Sequence, residues 1–226
     1  MTEKQFSIKD ALRFGWKTTI QNFGLFLGIL IVAGIIEVVP NLLSMVTDDA
    51  VLLTFTIGVV FSILSIIIQM GFINITLRFS RGETAQFADL FSVFHLFFAY
   101  LGASILYALM ILGGFLLLII PGIIWAIKYQ FFPYVILDQG LGPVAALRRS
   151  GEITHGVKVK LFVFGLVLAI MNLLGFLALV IGVFVTIPLT MVATAFVYRS
   201  LSMRTSSTPS PPSQPEGEIL PPVGGR

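Results

Sequence analysis

The sequence predicts an all-α polytopic membrane protein: six transmembrane helices in three hairpins, each hairpin preceded by a cytoplasmic amphipathic helix in the membrane interface. Three observations carry this. Hydrophobic residues make up 57% of the 226 residues, charged residues only 11%, and mean hydropathy is +0.99, so a bilayer rather than water must be the main solvent. From Phe23 onward the apolar residues fall into six stretches of spanning length. The fourteen Lys and Arg collect before the first stretch, between the second and third, between the fourth and fifth, and after the sixth, with Lys128 alone inside a stretch. Cytoplasmic loops hold the positive charge of multi-pass proteins, so both termini are expected in the cytoplasm, at a plasma or inner cell membrane.

The first element is amphipathic. Ile8, Ala11, Leu12, Gly15, Trp16, Thr19 and Ile20 follow helical spacing, with Lys9, Asp10, Arg13, Lys17 and Gln21 on the other face. Ser7 with Asp10 three positions on resembles a capping box, which starts the helix near Ile8. The first span runs from about Phe23 to Val39. The loop from Pro40 to Ala50 carries Asp48 and Asp49 and no positive charge, so it belongs outside. A cleaved signal would place its apolar core first, whereas amphipathic residues lead here; Glu3 and Asp10 also argue against a mitochondrial presequence. The second span, Val51 to about Leu77, returns to Arg78 and Arg81 at the cytoplasmic side.

A second amphipathic segment sets Phe87, Leu90, Phe91 and Phe94 opposite Gln86, Asp89, Ser92 and His95. The apolar stretch Phe97 to Leu137 exceeds the roughly 20 residues of one crossing, and reads as two helices broken at Pro121-Gly122. The third amphipathic segment has Pro143 at a first helical position, Val144 and Leu147 on one face, Arg148, Arg149 and Glu152 opposite, and Gly156 as its stop. Leu161 to Val197 is again two spans, with the break between Gly182 and Pro188. Residues 1–202 thus form the membrane domain. Residues 203–226, rich in Pro, Ser and Gly, cannot bury a core and are expected as a disordered cytoplasmic tail. Ala11-Leu12-Arg13 and Ala146-Leu147-Arg148 match in type and in distance from the next span, as in an internal repeat.

Chemistry is sought where polarity is costly. Lys near a helix centre costs about 2.5 to 3.5 kcal/mol on insertion scales, and Lys128 sits near the middle of span four beside Tyr129 and Gln130. Asn172 lies at similar depth in span five and Glu37 towards the outer end of span one. Two roles are open to Lys128. With Gln130, Asn172 and Glu37 it could line a polar path or hold a headgroup or small anion; alternatively it pairs with Glu37 or snorkels, locking helices together. Gly24 and Gly28 form a GxxxG, and with Gly113, Gly114, Gly165 and Gly175 they suggest close helix packing.

Enzyme signatures are missing. The chain has no Cys and only His95 and His155, neither in a metal-binding spacing, and it has no phosphate-binding Gly-rich loop and no nucleophile elbow. No catalytic residue, metal site or cofactor is therefore expected. The pI near 9.3 reflects cations placed where anionic headgroups lie, so no nucleic-acid partner is inferred. Arg13, Lys17, Arg148, Arg149, Lys158 and Lys160 would lie at headgroup level, with Trp16 and Phe residues inserted beside them. Membrane lipids, anionic ones among them, are the expected partners, with a second copy or another membrane protein as further options. The expectation is a non-catalytic integral membrane protein working through lipid or protein contacts at the cytoplasmic face; the alternative is a transporter or channel with a polar path near Lys128.

Pro121-Gly122-Ile123-Ile124-Trp125-Ala126-Ile127-Lys128-Tyr129, the run from Phe132 to Gly140, and Ala145-Ala146-Leu147-Arg148-Arg149-Ser150 with Glu152-Ile153-Thr154-His155-Gly156 carry a family likeness. Together they resemble uncharacterised prokaryotic membrane proteins related to the membrane domain found with some glycerophosphoryl diester phosphodiesterases. The likeness extends more loosely from Phe6 to about Leu201. It implies a Pro-Gly-Ile turn, a basic residue in the following helix, an Ala-Leu-x-x-Ser-x-x-x-Thr-x-Gly segment, and six spans. The chain departs from it at Gly151, where a bulky aromatic is expected, and at His155, often Arg. Phosphodiesterase chemistry does not carry over, because it belongs to a separate soluble domain.

Overall fold

A computed structural model describes residues 6–44, 50–178 and 182–207. Among the described residues the chain forms nine α-helices: α1 (Ile8–Gln21), α2 (Phe23–Ser44), α3 (Val51–Ser80), α4 (Phe97–Leu117), α5 (Ile119–Tyr129), α6 (Phe132–Gln139), α7 (Pro143–Ile153), α8 (Lys158–Leu177) and α9 (Val183–Ser207). Six stretches are long and apolar enough to cross a membrane, the fourth made of α5 with α6. The protein is an all-α polytopic membrane protein. Its hairpins are α2 with α3, α4 with α5, and α8 with α9. Arg13, Lys17, Arg78, Arg81, Arg148, Arg149, Lys158, Lys160 and Arg204 gather at one end of the bundle, the basic end.

α1 begins at Ile8, where Ser7 Oγ accepts the Asp10 N–H at 3.2 Å, as the capping pattern predicts. Its buried face is made of small residues: Ala11, Gly15, Thr18 and Thr19 lie against α9. A Cβ on Gly15 would stand 2.6 Å from the Leu189 carbonyl oxygen and 3.2 Å from Ala193 Cβ, so the missing side chain sets how closely the helices approach. Trp16 and Ile20, expected on the same stripe, point outward instead. They are too large for that contact.

Several boundaries differ from the expected ones. Span one runs through Pro40 to Ser44; Pro40 costs one backbone bond, which a membrane helix tolerates. Asp48 and Asp49 lie outside the described residues. The break between spans three and four falls at Leu118, in extended backbone (φ −168°, ψ 150°), not at Pro121-Gly122. In an unbroken helix the Pro121 ring would clash with the Leu117 carbonyl four residues back, so the helix restarts just upstream and holds the proline in its first turn. Similarly α8 stops at Leu177 and α9 starts at Val183, leaving Pro188 inside the helix. At the other end α9 continues past residue 202 to Ser207, two residues short of Pro209, and 208–226 lie outside the described residues.

The lead-in to span three is two 3-10 turns, Phe87–Leu90 and Phe94–Leu96, rather than one amphipathic helix. α3 imposes this. Arg78 pairs with Asp89 at 2.5 Å, and Asn74 Nδ2 donates to the Asp89 carbonyl at 3.3 Å and to Ser92 Oγ at 3.0 Å. Leu90 and Val93 are drawn inward while Phe87, Phe91 and Phe94 stay exposed.

The packed core sits at the basic end. Phe131, Val135, Ile136, Ala146, Ala193, Ala195 and Val197 are fully buried there, and a second cluster gathers around Phe26, Ile29, Ile75 and Val192. The far halves of the hairpins expose Ile35 and Val38 on α2, Leu52 and Phe55 on α3, Leu109 and Leu116 on α4, and Leu173 and Leu177 on α8. That apolar belt is what a bilayer solvates. The GxxxG glycines Gly24 and Gly28 face open space, as do Gly113 and Gly165, because α2 meets α3 through Phe26 on another face. Close packing occurs at Gly114 against Gly122 and at Gly175 against Thr186.

Candidate functional site

Span four is itself broken, and the break creates the site. Pro133, in the first turn of α6, has no N–H to continue the ladder from α5, so the chain turns at Gln130 and Phe131. The freed backbone groups need partners. α7 supplies them. Ser150 Oγ accepts the Phe131 N–H at 3.1 Å and donates to the Lys128 carbonyl at 3.1 Å, and Thr154 Oγ1 donates to the same carbonyl at 3.0 Å. Both residues are fully buried. α7 thus acts as a side-chain cap on a broken membrane helix.

This changes the place of Lys128. It is the penultimate residue of α5, level with amphipathic α7, rather than at the middle of an unbroken span. Its half-buried side chain runs across α7, where a Cβ on Gly151 would come within 3.0 Å of Lys128 Cε, and its Nζ lies 4.8 Å from the centre of the Tyr129 ring. Around it lies a groove of about 830 Å³ between α4, α5 and α7. Leu106 and Met110 of α4 and Val144 and Leu147 of α7 form its apolar wall; Lys128, Tyr129, Arg148, Glu152 and His155 are its ionisable groups.

The other expected polar residues are not brought to this groove. Glu37 is exposed on α2 and lines a separate hollow with Asn41 and with Ser62 and Ser65 of α3. Among the described residues Lys128 and Glu37 form no ion pair, which removes the helix-locking pair. They belong to different hairpins, and Lys128 turns towards α7. Gln130 and Asn172 are half-buried, Gln130 Nε2 and Asn172 Oδ1 find no hydrogen-bond partner among the described residues, and neither residue lines the groove.

The interfacial cations divide into exposed and partly buried ones. Arg13, Lys17 and Arg148 are exposed, Arg13 and Lys17 flanking Trp16 on α1. Arg149 pairs with Glu152 at 2.9 Å. Lys158 and Lys160 are half-buried at the start of α8, and Lys160 Nζ sits 5.0 Å over the Phe6 ring. Among the described residues no group of three or more His, Asp or Glu is placed to hold a metal ion.

Two arrangements escape a reading of periodicity. Ser150 and Thr154 stand on the buried face of α7 with Ala146, Leu147 and Ile153; polar residues at that spacing on an apolar face were the available signal. At the basic end Asp138 pairs with Arg81 and accepts the Tyr198 hydroxyl at 2.8 Å, while Gln139 Nε2 donates to Tyr198 Oη at 3.1 Å. This clasp ties α3, α6 and α9 together, and nothing local to Asp138 announces it. Comparison with protein-family models, curated proteins and solved structures finds no match to the chain.

Proposed function

We propose that the protein is a non-catalytic integral membrane protein that works through lipid contacts at the cytoplasmic face of a prokaryotic cell membrane. On this reading the basic end and both termini are cytoplasmic, as the distribution of Lys and Arg asks. On the same reading the chain is a relative of the phosphodiesterase-associated membrane domain. The carrying observation is the pairing of exposed cations with exposed apolar side chains at that end: Arg13 and Lys17 with Trp16 and Ile20, Arg148 with Val144. Cations meet anionic headgroups there while the apolar neighbours enter the acyl boundary, each basic residue contributing about 1 kcal/mol. A transport path would need Lys128 and Asn172 in one cavity, and the groove at Lys128 does not include Asn172.

The test is thermal unfolding of the full-length protein in neutral detergent with added phosphatidylglycerol or phosphatidylcholine, at low and high salt. Saturation at a hundredfold over Kd stabilises by about 2.7 kcal/mol, or roughly 5 to 10 °C for a chain of this size. The expected result is such a rise for phosphatidylglycerol, reduced by salt. Equal Tm values in both lipids at low salt would overturn the proposal.

A further inference from the structure

We infer that the groove between α4, α5 and α7 is a binding site for one anionic glycerophospholipid, its phosphate held by Lys128 and Arg148 and an acyl chain lying along α4. The inference rests on the lipid-contact reading above and narrows it from a face to a site.

Charge comes first. Lys128 and Arg148 both open onto the groove, and among the described residues neither forms an ion pair. Glu152, the carboxylate on the rim, is held by Arg149 at 2.9 Å. Two cations therefore remain without a counter-charge beside an apolar wall, where an anion interacts more strongly than in water. A zwitterionic headgroup would bring its own cation to a place where the carboxylate is already engaged. A headgroup with net negative charge fits better.

The site is also built rather than incidental. The Lys128 backbone is clamped by Ser150 and Thr154, which fixes where its side chain leaves α5. Gly151 then leaves room for that side chain to cross α7. His155 adds a hydrogen-bonding ring at the rim, suited to ester or glycerol oxygens.

The apolar wall selects a lipid over a soluble anion. Leu106 and Met110 line the groove, and exposed Leu109 and Leu116 continue the apolar surface along α4 away from the basic end. A free phosphate would leave this wall uncovered. An acyl chain covers it, and each buried methylene adds to the binding.

The experiment is native mass spectrometry of the full-length protein released from neutral detergent, after incubation with phosphatidylglycerol, phosphatidylethanolamine or phosphatidylcholine. The wild type and K9Q, which removes an exposed cation of α1 outside the groove, should each retain one phosphatidylglycerol per chain. K128Q/R148Q, and independently G151L, which fills the groove without changing charge, should retain it about tenfold less, equivalent to one buried charge-assisted contact. K128R should keep most of it. Lys128 is half-buried and Arg148 exposed, so the charge variants leave the core untouched. Equal loss in K9Q would mean diffuse attraction to the face and overturn the groove, while the broader reading stands. Equal retention of either zwitterionic lipid would overturn the anionic assignment. Displacement by soluble glycerol phosphate at matched concentration would overturn the lipid in favour of a free anion. No phosphatidylglycerol retained by the wild type, with the lipid-dependent rise in Tm intact, would also sink the site alone; absence of both would remove the two together.

Discussion

Replacing Ser150 by Ala should cost more than its size suggests. Its hydroxyl is fully buried and serves two backbone groups at the break in span four, accepting from Phe131 N–H and donating to the Lys128 carbonyl, each at 3.1 Å. In Ser150→Ala the Phe131 N–H loses its partner in a place water does not reach, at a cost of about 1 to 3 kcal/mol for a buried orphan. The Lys128 carbonyl keeps Thr154 at 3.0 Å, so it adds little. Thr154→Val removes one of two donors to that carbonyl and should cost about 1 kcal/mol. The double variant orphans both backbone groups and should cost more than the sum, by about 1 kcal/mol of coupling. The assay is reversible unfolding of the purified protein in mixed micelles, read by circular dichroism, with Ser150→Ala, Thr154→Val and the double variant forming one cycle. Hydrogen bonds between membrane helices average only about 0.6 kcal/mol, because the unfolded state in the membrane finds partners too. If both single variants stay at or below that average and the double variant is merely additive, α7 does not cap the break, and the clamped Lys128 loses its basis.

Gly15→Ala should destabilise by about 1 to 3 kcal/mol, since its Cβ would lie 2.6 Å from the Leu189 carbonyl oxygen on α9. Gly28→Ala meets open space and should be neutral or stabilising by up to about 1 kcal/mol from helix propensity alone. Urea unfolding in micelles compares the two, and the same sign for both would contradict the α1 to α9 packing. Asp138→Ala severs the clasp to Arg81 and Tyr198 and, at about three-quarters buried, should cost about 1 to 2 kcal/mol. Tyr198→Phe, which keeps the Arg81 pair, should cost less; a larger effect of Tyr198→Phe in the same thermal assay would show that the ion pair carries nothing.

What was legible in the sequence is what depends on one dimension. Hydropathy and the alternation of Lys and Arg locate six spans, and Ser7 with Asp10 locates the start of α1 at Ile8, because span length and capping are local properties. The breaks were legible in kind but not in position. A proline announces that a helix must stop, but whether it stops before Pro121, continues through Pro40 or turns ahead of Pro133 depends on which partner can take up the freed backbone groups. For Pro133 that partner is Ser150, on another helix. Likewise Phe87, Leu90, Phe91 and Phe94 have helical spacing, yet Asn74 and Arg78 claim Asp89 and Ser92, and the segment tightens to 3-10 turns. Lys128 was found by its rarity. Its surroundings were not, since they are set by α7, and the partner offered by the sequence, Glu37, sits on a different hairpin.

The packing of α1 against α9 bears on how the molecule is made. Residues of α1 are held by those of α9, which are synthesised much later: Gly15 seats on Leu189 and Ala193, and the Phe14 ring lies 5.0 Å from that of Phe196. During synthesis α1 therefore has no seat until the sixth span is in place, and until then its Trp16 and Ile20 can occupy only the membrane surface. Closure of the basic end is then a final, long-range event rather than a stepwise addition of hairpins. A chain released before α9 would hold spans of the right length without the interior that joins them.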